Sequence, residues 1–475
     1  MTLRTHLERL ADAGELVTID EQVHWDETAA AVGREAIRCG GPATLFDETP
    51  ETVRFASGVY GGPSQFSSRS HHPGRRVAQA LGLGADCSYV ELLEHLSGRE
   101  TASLEDRRTE PAATDTDDSG DVHALGLPTV GTERYPLVSL GLLAAENDGT
   151  TTWVPIRGQA LHNDRLRLSV PEAFLEWSEP ESGASVVLGA SACSLVAALQ
   201  GWTQDRTAPA VPERAAGLAD VSLSTVGSRV VPADAEVRID GAIRVVEAAP
   251  RGPSAAWELT CDTATVELRV DEIVTRESPI VSFTPATGPM TDDLHLTSLV
   301  EAAQLYRRVN NYWGVSPVEW IQLPVEASLG LCIVSSEILY AGFEWQLANT
   351  LFSFSNVFDK VVVLDEQADP TNLARAVNDM WVKAHPANDW TFSEPNAPAA
   401  TATRYRRDGE TGARLYVNAT WDPRWDEEYI APRVTFETTF SENVLEALDE
   451  RWEALGLDEL LGSRDQTAVS EHFHE

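Results

Sequence analysis

Lysine is nearly missing from this sequence. Of 475 residues only Lys360 and Lys383 are lysines, although Lys and Arg together number 36. Basic charge as a whole is also scarce: 74 Asp and Glu give a formal charge of -38, spread along the whole chain. Such a surface repels phosphate backbones and argues against duplex nucleic acid as a partner. An acid-rich, lysine-poor surface suits a protein that stays folded in molar salt, where the Debye length falls to roughly 3 Å. The expectation is the cytoplasm of a salt-accumulating halophile. Cysteine is sparse too. Cys39, Cys87, Cys193, Cys261 and Cys332 are odd in number and scattered, with no C-x-x-C, which argues against a disulfide framework and a cysteine metal site. No apolar run approaches the ~18 residues of a membrane-spanning helix. The opening residues MTLRTHLERLADAGEL lack an apolar core, so no secretory signal is expected. Phosphate-loop, dinucleotide-binding, zinc-protease and nucleophile-elbow motifs are all absent.

What is present is enough for a large core. Hydrophobic residues make up 43% of the chain, and its length suggests two or three domains. Leu3, Leu7 and Leu10 recur at helical spacing, with Gly14 as a stop. Arg76 to Leu83 reads as a second helix ended by glycine. We expect an N-terminal α/β domain over 1–104. The polar, acidic stretch 105–122 follows as a linker or surface excursion. From 123 to 290 short β-branched runs such as VVPADAEVRIDGAIRVV and ATVELRVDEIV alternate with Gly and Pro, predicting a β-rich barrel or sandwich. From 291 to 475 helices and strands alternate. There Val361 to Leu364 is a continuous apolar run of the kind buried on both faces of a parallel sheet, so this domain is α/β.

The order of these segments carries a resemblance. LRTHLERLADAGELVTID, GGPATLF, VVLGASACSLVAAL, VDEIVTRESPIVSF, TGPMTDDLHLTSLVEAA, FDKVVVLDEQADPTNLARAV and ARLYVNATWDP occur in the sequence of landmarks of the UbiD family. That family resembles this chain across some 400 residues and uses prenylated FMN to decarboxylate unsaturated and aromatic acids. The resemblance implies a mixed α+β and α/β multidomain fold: an N-terminal α/β domain, a central split β-barrel like that of flavin reductases, and a C-terminal α/β domain that mediates homo-oligomers. It also implies a small carboxylic acid as substrate, and a flavin prenyltransferase as supplier of the cofactor.

Site residues come from the same resemblance. TTWVPIRGQALHNDRLRL resembles the strand of the family's catalytic arginine, which places that role on Arg157; a guanidinium stays charged and can hold a carboxylate bidentately. Lys360 stands where the family's lysine binds the flavin phosphate. Thr152 occupies the place of an asparagine that helps hold a divalent cation (Mn or Mg) and a potassium ion, and Glu213 is the matching glutamate; no matching histidine is found. The family's E-G-P-F-G-E stretch corresponds to RGPSAAWE, with Arg251 and Ala256 where glutamates are expected. Glu258, or Asp292 further on, is then the candidate replacement acid. Three readings follow: an active decarboxylase using prenylated FMN, a catalytically degenerate relative serving as a binding or regulatory subunit, and an ordinary FMN or ligand-binding module.

Overall fold

The structure, a computed structural model, describes residues 1–24, 28–49, 53–62, 72–84, 86–98, 100–117, 119–130, 133–179, 182–204, 210–250, 252–285, 290–371, 373–393, 397–402, 411–421 and 441–456. Helix α1 (Leu3–Asp12) forms as the leucine spacing predicts. Leu3, Leu7 and Leu10 are all buried, and Thr2 caps the helix by accepting the Thr5 N–H at 3.2 Å. β1 (Leu16–Ile19), α2 (Thr28–Arg38), β2 (Ala43–Phe46), β3 (Arg54–Ser57), α3 (Arg75–Leu81) and α4 (Tyr89–Ser97) follow. Gly82 ends α3 in the left-handed region, at φ 87°.

The acidic stretch that follows lies against the central unit. There β4 (Asp115–Asp117) pairs with the last barrel strand, and β5 (Thr129–Val130) pairs with the first. The barrel strands are β6 (Glu133–Asn147), β7 (Thr150–His162), β8 (Arg165–Pro171) and β9 (Gly183–Leu188), then β12 (Val237–Val245) and β13 (Thr263–Thr275). Between β8 and β12 lie α5 (Ala173–Trp177), α6 (Ala192–Leu199), α7 (Val211–Leu218) and the hairpin of β10 (Leu223–Val226) and β11 (Arg229–Pro232). The strands run in the order β12-β9-β6-β7-β8-β13, and β13 pairs back onto β12. The result is a closed antiparallel barrel. Closure depends on Gly241 at the bulge in β12, because a Cβ there would lie 2.0 Å from the Arg269 carbonyl oxygen.

After β13 the chain returns to the first unit. β14 (Ile280–Ser282) pairs in parallel with β3 and completes a sheet of order β1-β2-β3-β14. The stretch 123–290 therefore supplies a strand to the N-terminal sheet as well as forming the barrel. α8 (Asp292–Tyr312) comes next, buried from Asp292 through Ala303 and packed on α4 and on the turn Ala256–Leu259. The C-terminal unit adds β15 (Val318–Gln322), β16 (Leu331–Ser336), α9 (Phe343–Phe354), β17 (Lys360–Asp365), α10 (Leu373–Val382), β18 (Trp390–Phe392) and the strand Leu415–Ala419. β16, β17 and Leu415–Ala419 are parallel, with β15 and β18 antiparallel at the edges. Val361 to Leu364 are buried, as the continuous apolar run predicts. Residues of all three units belong to one hydrophobic cluster. None of the five cysteines forms a disulfide, and among the described residues no helix is long and apolar enough to cross a membrane.

Candidate functional site

The site starts from one strand pair and one turn. Arg157 lies on β7 directly opposite Ser169 on β8. Glu258 lies on the turn Ala256–Leu259 that precedes β13, and reaches the same place. The Arg157 Nε donates to Glu258 Oε2 at 3.0 Å and its Nη2 to Oε1 at 3.4 Å. The Ser169 hydroxyl donates to Oε1 at 2.5 Å, and the Ala255 N–H to Oε2 at 2.7 Å. Both side chains are about nine-tenths buried, at 9% and 10% exposure. Every oxygen of Glu258 thus has a partner. A carboxylate held this way fixes the arginine.

The first turn of α8 divides two adjacent aspartates between two tasks. Successive helical residues point about 100° apart, so neighbours face different surroundings. Asp292 faces the N-terminal unit and accepts the N–H groups of Val59, Tyr60 and Gly61 at 2.9, 2.8 and 2.7 Å. It is fully committed to tying β3's following loop to α8, which corrects its reading as a replacement acid. Asp293 faces the barrel. Its Oδ2 accepts the Ala256 N–H at 2.8 Å, while its buried Oδ1 has no hydrogen-bond partner among the described residues. Burial pushes its pKa up, against the opposing pull of the Thr291 hydroxyl and the Ala256 and Leu294 N–H groups. Sequence reasoning passed over Asp293, although it stands beside the residue chosen.

Arg157 and Asp293 line one cleft of ≈ 180 Å³ between the barrel and the start of α8. Its other walls are mostly small or aliphatic: Leu137, Val138, Pro253, Ala255, Leu259 and Leu294. A narrower pocket of ≈ 20 Å³, walled by Pro155, Ile156, Leu195, Leu199 and Trp257, shares Ser139 and Asp293 with the cleft. Apolar walls with an arginine and a carboxyl at the rim suit the flat, largely apolar ring of a flavin in chemical character. At these volumes the walls must part to admit it.

The remaining expected residues lie elsewhere. Lys360 opens β17, pairs with Asp359, and is 43% exposed, outside the residues lining the cleft. Thr152 is buried on β7, where its Oγ1 accepts the Trp202 indole N–H at 3.0 Å. Trp202 in turn packs edge-on against Phe174 and Trp177. Glu213, in the first turn of α7, keeps one buried carboxylate oxygen unpaired among the described residues. No three His, Cys, Asp or Glu side chains cluster among those residues. One unpaired carboxylate oxygen and one hydroxyl already engaged by an indole fall short of the oxygen cage of a divalent cation, so the donor set does not fit one. Arg251 lies outside the described residues.

Comparison with known proteins agrees with this architecture. Residues 7–96 match the family model of the 3-octaprenyl-4-hydroxybenzoate carboxy-lyase N-terminal domain, and 294–419 that of the C-terminal domain. The chain is similar to the UbiD-class enzyme HmfF from Pelotomaculum thermopropionicum, solved in complex with FMN, at a TM-score of 0.75 and 19% identity over 92% of this chain and 98% of that one. The fold is the UbiD fold. An evolved dimeric form of HmfF in complex with prFMN gives 0.72 at 18% identity, covering 93% of this chain and 99% of that one. Vanillic acid decarboxylase from Sedimentibacter hydroxybenzoicus, in its open form, gives 0.72 at 19% over 96% and 98%. The chain is thus similar to UbiD-class proteins in both terminal domains and in overall architecture.

Proposed function

We propose that this protein is a carboxy-lyase that uses a prenylated flavin to remove CO₂ from an unsaturated or aromatic acid. The observation that carries this reading is the pairing, across one apolar cleft, of a fixed arginine with a buried carboxyl that has an unpaired oxygen. Arg157, held by Glu258, which Ser169 in turn steadies, attracts and orients the substrate carboxylate. The aliphatic walls favour loss of that charge as neutral CO₂, because an apolar surround solvates a carboxylate poorly. When bound, the prenylated flavin supplies the electron sink that accepts the pair left by the departing CO₂. Asp293 then delivers the proton to carbon, a task suited to a carboxyl whose pKa burial raises, and recovers one from solvent. Lys360 is the proposed partner of the flavin phosphate, a role that suits its compact ammonium group.

The test uses protein coexpressed with a flavin prenyltransferase and purified in molar KCl. Its absorbance and the mass of the released flavin are measured alongside CO₂ release from a panel of cinnamic and benzoic acids. The reading expects near-stoichiometric prenylated flavin. Asp293→Asn should keep that flavin while losing roughly 10²–10⁴-fold in turnover. Folded protein that carries no flavin would overturn it.

A further inference from the structure

The turn that holds both halves of the site is itself held from another unit. Ala256–Leu259 carries Glu258, which fixes Arg157, and its Ala256 N–H fixes Asp293. Within the turn the bonds are local: Glu258 N–H to the Ala255 carbonyl at 3.2 Å, Thr260 N–H and hydroxyl to the Trp257 carbonyl at 2.9 and 2.7 Å, and the Ala255 N–H to the Glu258 carboxylate. The Leu259 carbonyl accepts the Thr401 hydroxyl at 2.6 Å. Thr401 is 142 residues away and belongs to the C-terminal unit. Its own backbone is anchored there: Thr401 N–H donates to the Asn356 carbonyl and Ala402 N–H to the Val357 carbonyl, both at 3.0 Å. Asn356 and Val357 form the short connection between α9 and β17, so Thr401 moves with that sheet. The same unit lines the cleft with Ser328, just before β16.

We propose that Thr401 is a positioning residue, a hydroxyl through which the C-terminal sheet, beside the α8 contact at Asp293, sets the turn that aligns Arg157 with Asp293. Displacing the C-terminal sheet pulls on Leu259 and so moves Glu258 and the Ala256 N–H together. The arginine and the acid are then disturbed as one, although Thr401 touches neither. This inference rests on the decarboxylase reading for its catalytic consequence and on geometry alone for the latch.

Two measurements on the full chain separate the parts. Hydrogen exchange of the peptide spanning 255–260, read by mass spectrometry without substrate, tests the latch. Thr401→Val should speed exchange there by roughly three- to tenfold, the effect of losing one ordinary hydrogen bond, while Thr401→Ser keeps the slow rate. Unchanged exchange in the valine variant, or equal loss in the serine variant, overturns the proposal whatever the activity. Turnover tests the consequence: with the wild type active, Thr401→Val should lower kcat by a similar factor with KM nearly unchanged, and Thr401→Ser should restore it. A valine variant of unaltered kcat also overturns it. A wild type without activity speaks against the decarboxylase reading, and exchange still decides the latch.

Discussion

Asp292 and Asp293 differ by one step of a helix, yet their substitution should have opposite consequences. Asp292→Asn offers a single carbonyl oxygen, and an NH₂ group, to three backbone N–H donors. We expect it to destabilise the fold by about 2–4 kcal/mol, measured by chemical denaturation in molar KCl. Asp293→Asn keeps an acceptor oxygen for the Ala256 N–H, so unfolding should move little while turnover collapses. The pH dependence has a definite sign. Burial raises the folded pKa of Asp293 above its unfolded value, so between the two the folded state binds the extra proton. Its neutral form is therefore lost as pH rises through the folded pKa, and with it both some stability and the proton for carbon. The alkaline limb of kcat should follow Asp293, and Asp293→Glu, a carboxyl with a longer reach, should move that limb; a limb unmoved in that variant would remove the acid role from Asp293. The sequence shows two acids side by side, and only the phase of α8 against the barrel decides which of them meets the cleft.

Strand β17 carries a lysine problem at each end. Lys360 begins it, and Asp365 ends it against the only other lysine. The Lys383 side chain is 1% exposed, bound to Asp365 and, at 3.1 Å, to Asp379, with the Trp421 ring 5.4 Å from its ammonium. In a chain that otherwise uses arginine, both lysines sit where a compact charge meets aspartate. Lys383→Met leaves buried carboxylates uncompensated and should cost about 3–5 kcal/mol, read from the denaturant midpoint. Lys383→Arg should also destabilise, because the wider fork must fit a site packed around a point charge. A tolerated arginine would show that the site has room and that lysine there is incidental. Helix α1 and strand β17 were legible because the Leu3, Leu7, Leu10 spacing and the Val361–Leu364 run are local patterns. The pairing of β14 with β3 was not, since nothing local in Ile280–Ser282 specifies a partner more than two hundred residues earlier. Glu258 was legible only as a candidate: its reach to Arg157 depends on the tight turn Ala256–Leu259, which the composition of RGPSAAWE does not specify.

At the scale of the whole molecule the governing quantity is charge. A formal charge of -38 is carried by three units that share one hydrophobic cluster, so repulsion acts on contacts that packing must hold together. The cleft lies between two of these units, with Asp293, Leu294 and Ser328 contributed by the C-terminal one, whose Thr401 bonds the Leu259 carbonyl of the turn beside it. At 0.1 M salt charges act over about 10 Å, and at 1 M that reach shortens to about 3 Å. We therefore expect the thermal midpoint to climb steeply between 0.1 and about 1 M KCl, and more gently beyond. Sucrose separates this from the general favouring of compact states by excluded solutes, since it strengthens burial without screening charge. If repulsion dominates, sucrose at low salt will not replace KCl. In that case hydrogen exchange at 255–260 should quicken as salt is withdrawn, before global unfolding begins, because the latch spans two like-charged units. A midpoint flat in KCl would mean that local ion pairs such as Arg157–Glu258 and Arg4–Glu236 already balance the surplus, and the salt-adapted reading of the composition would be wrong.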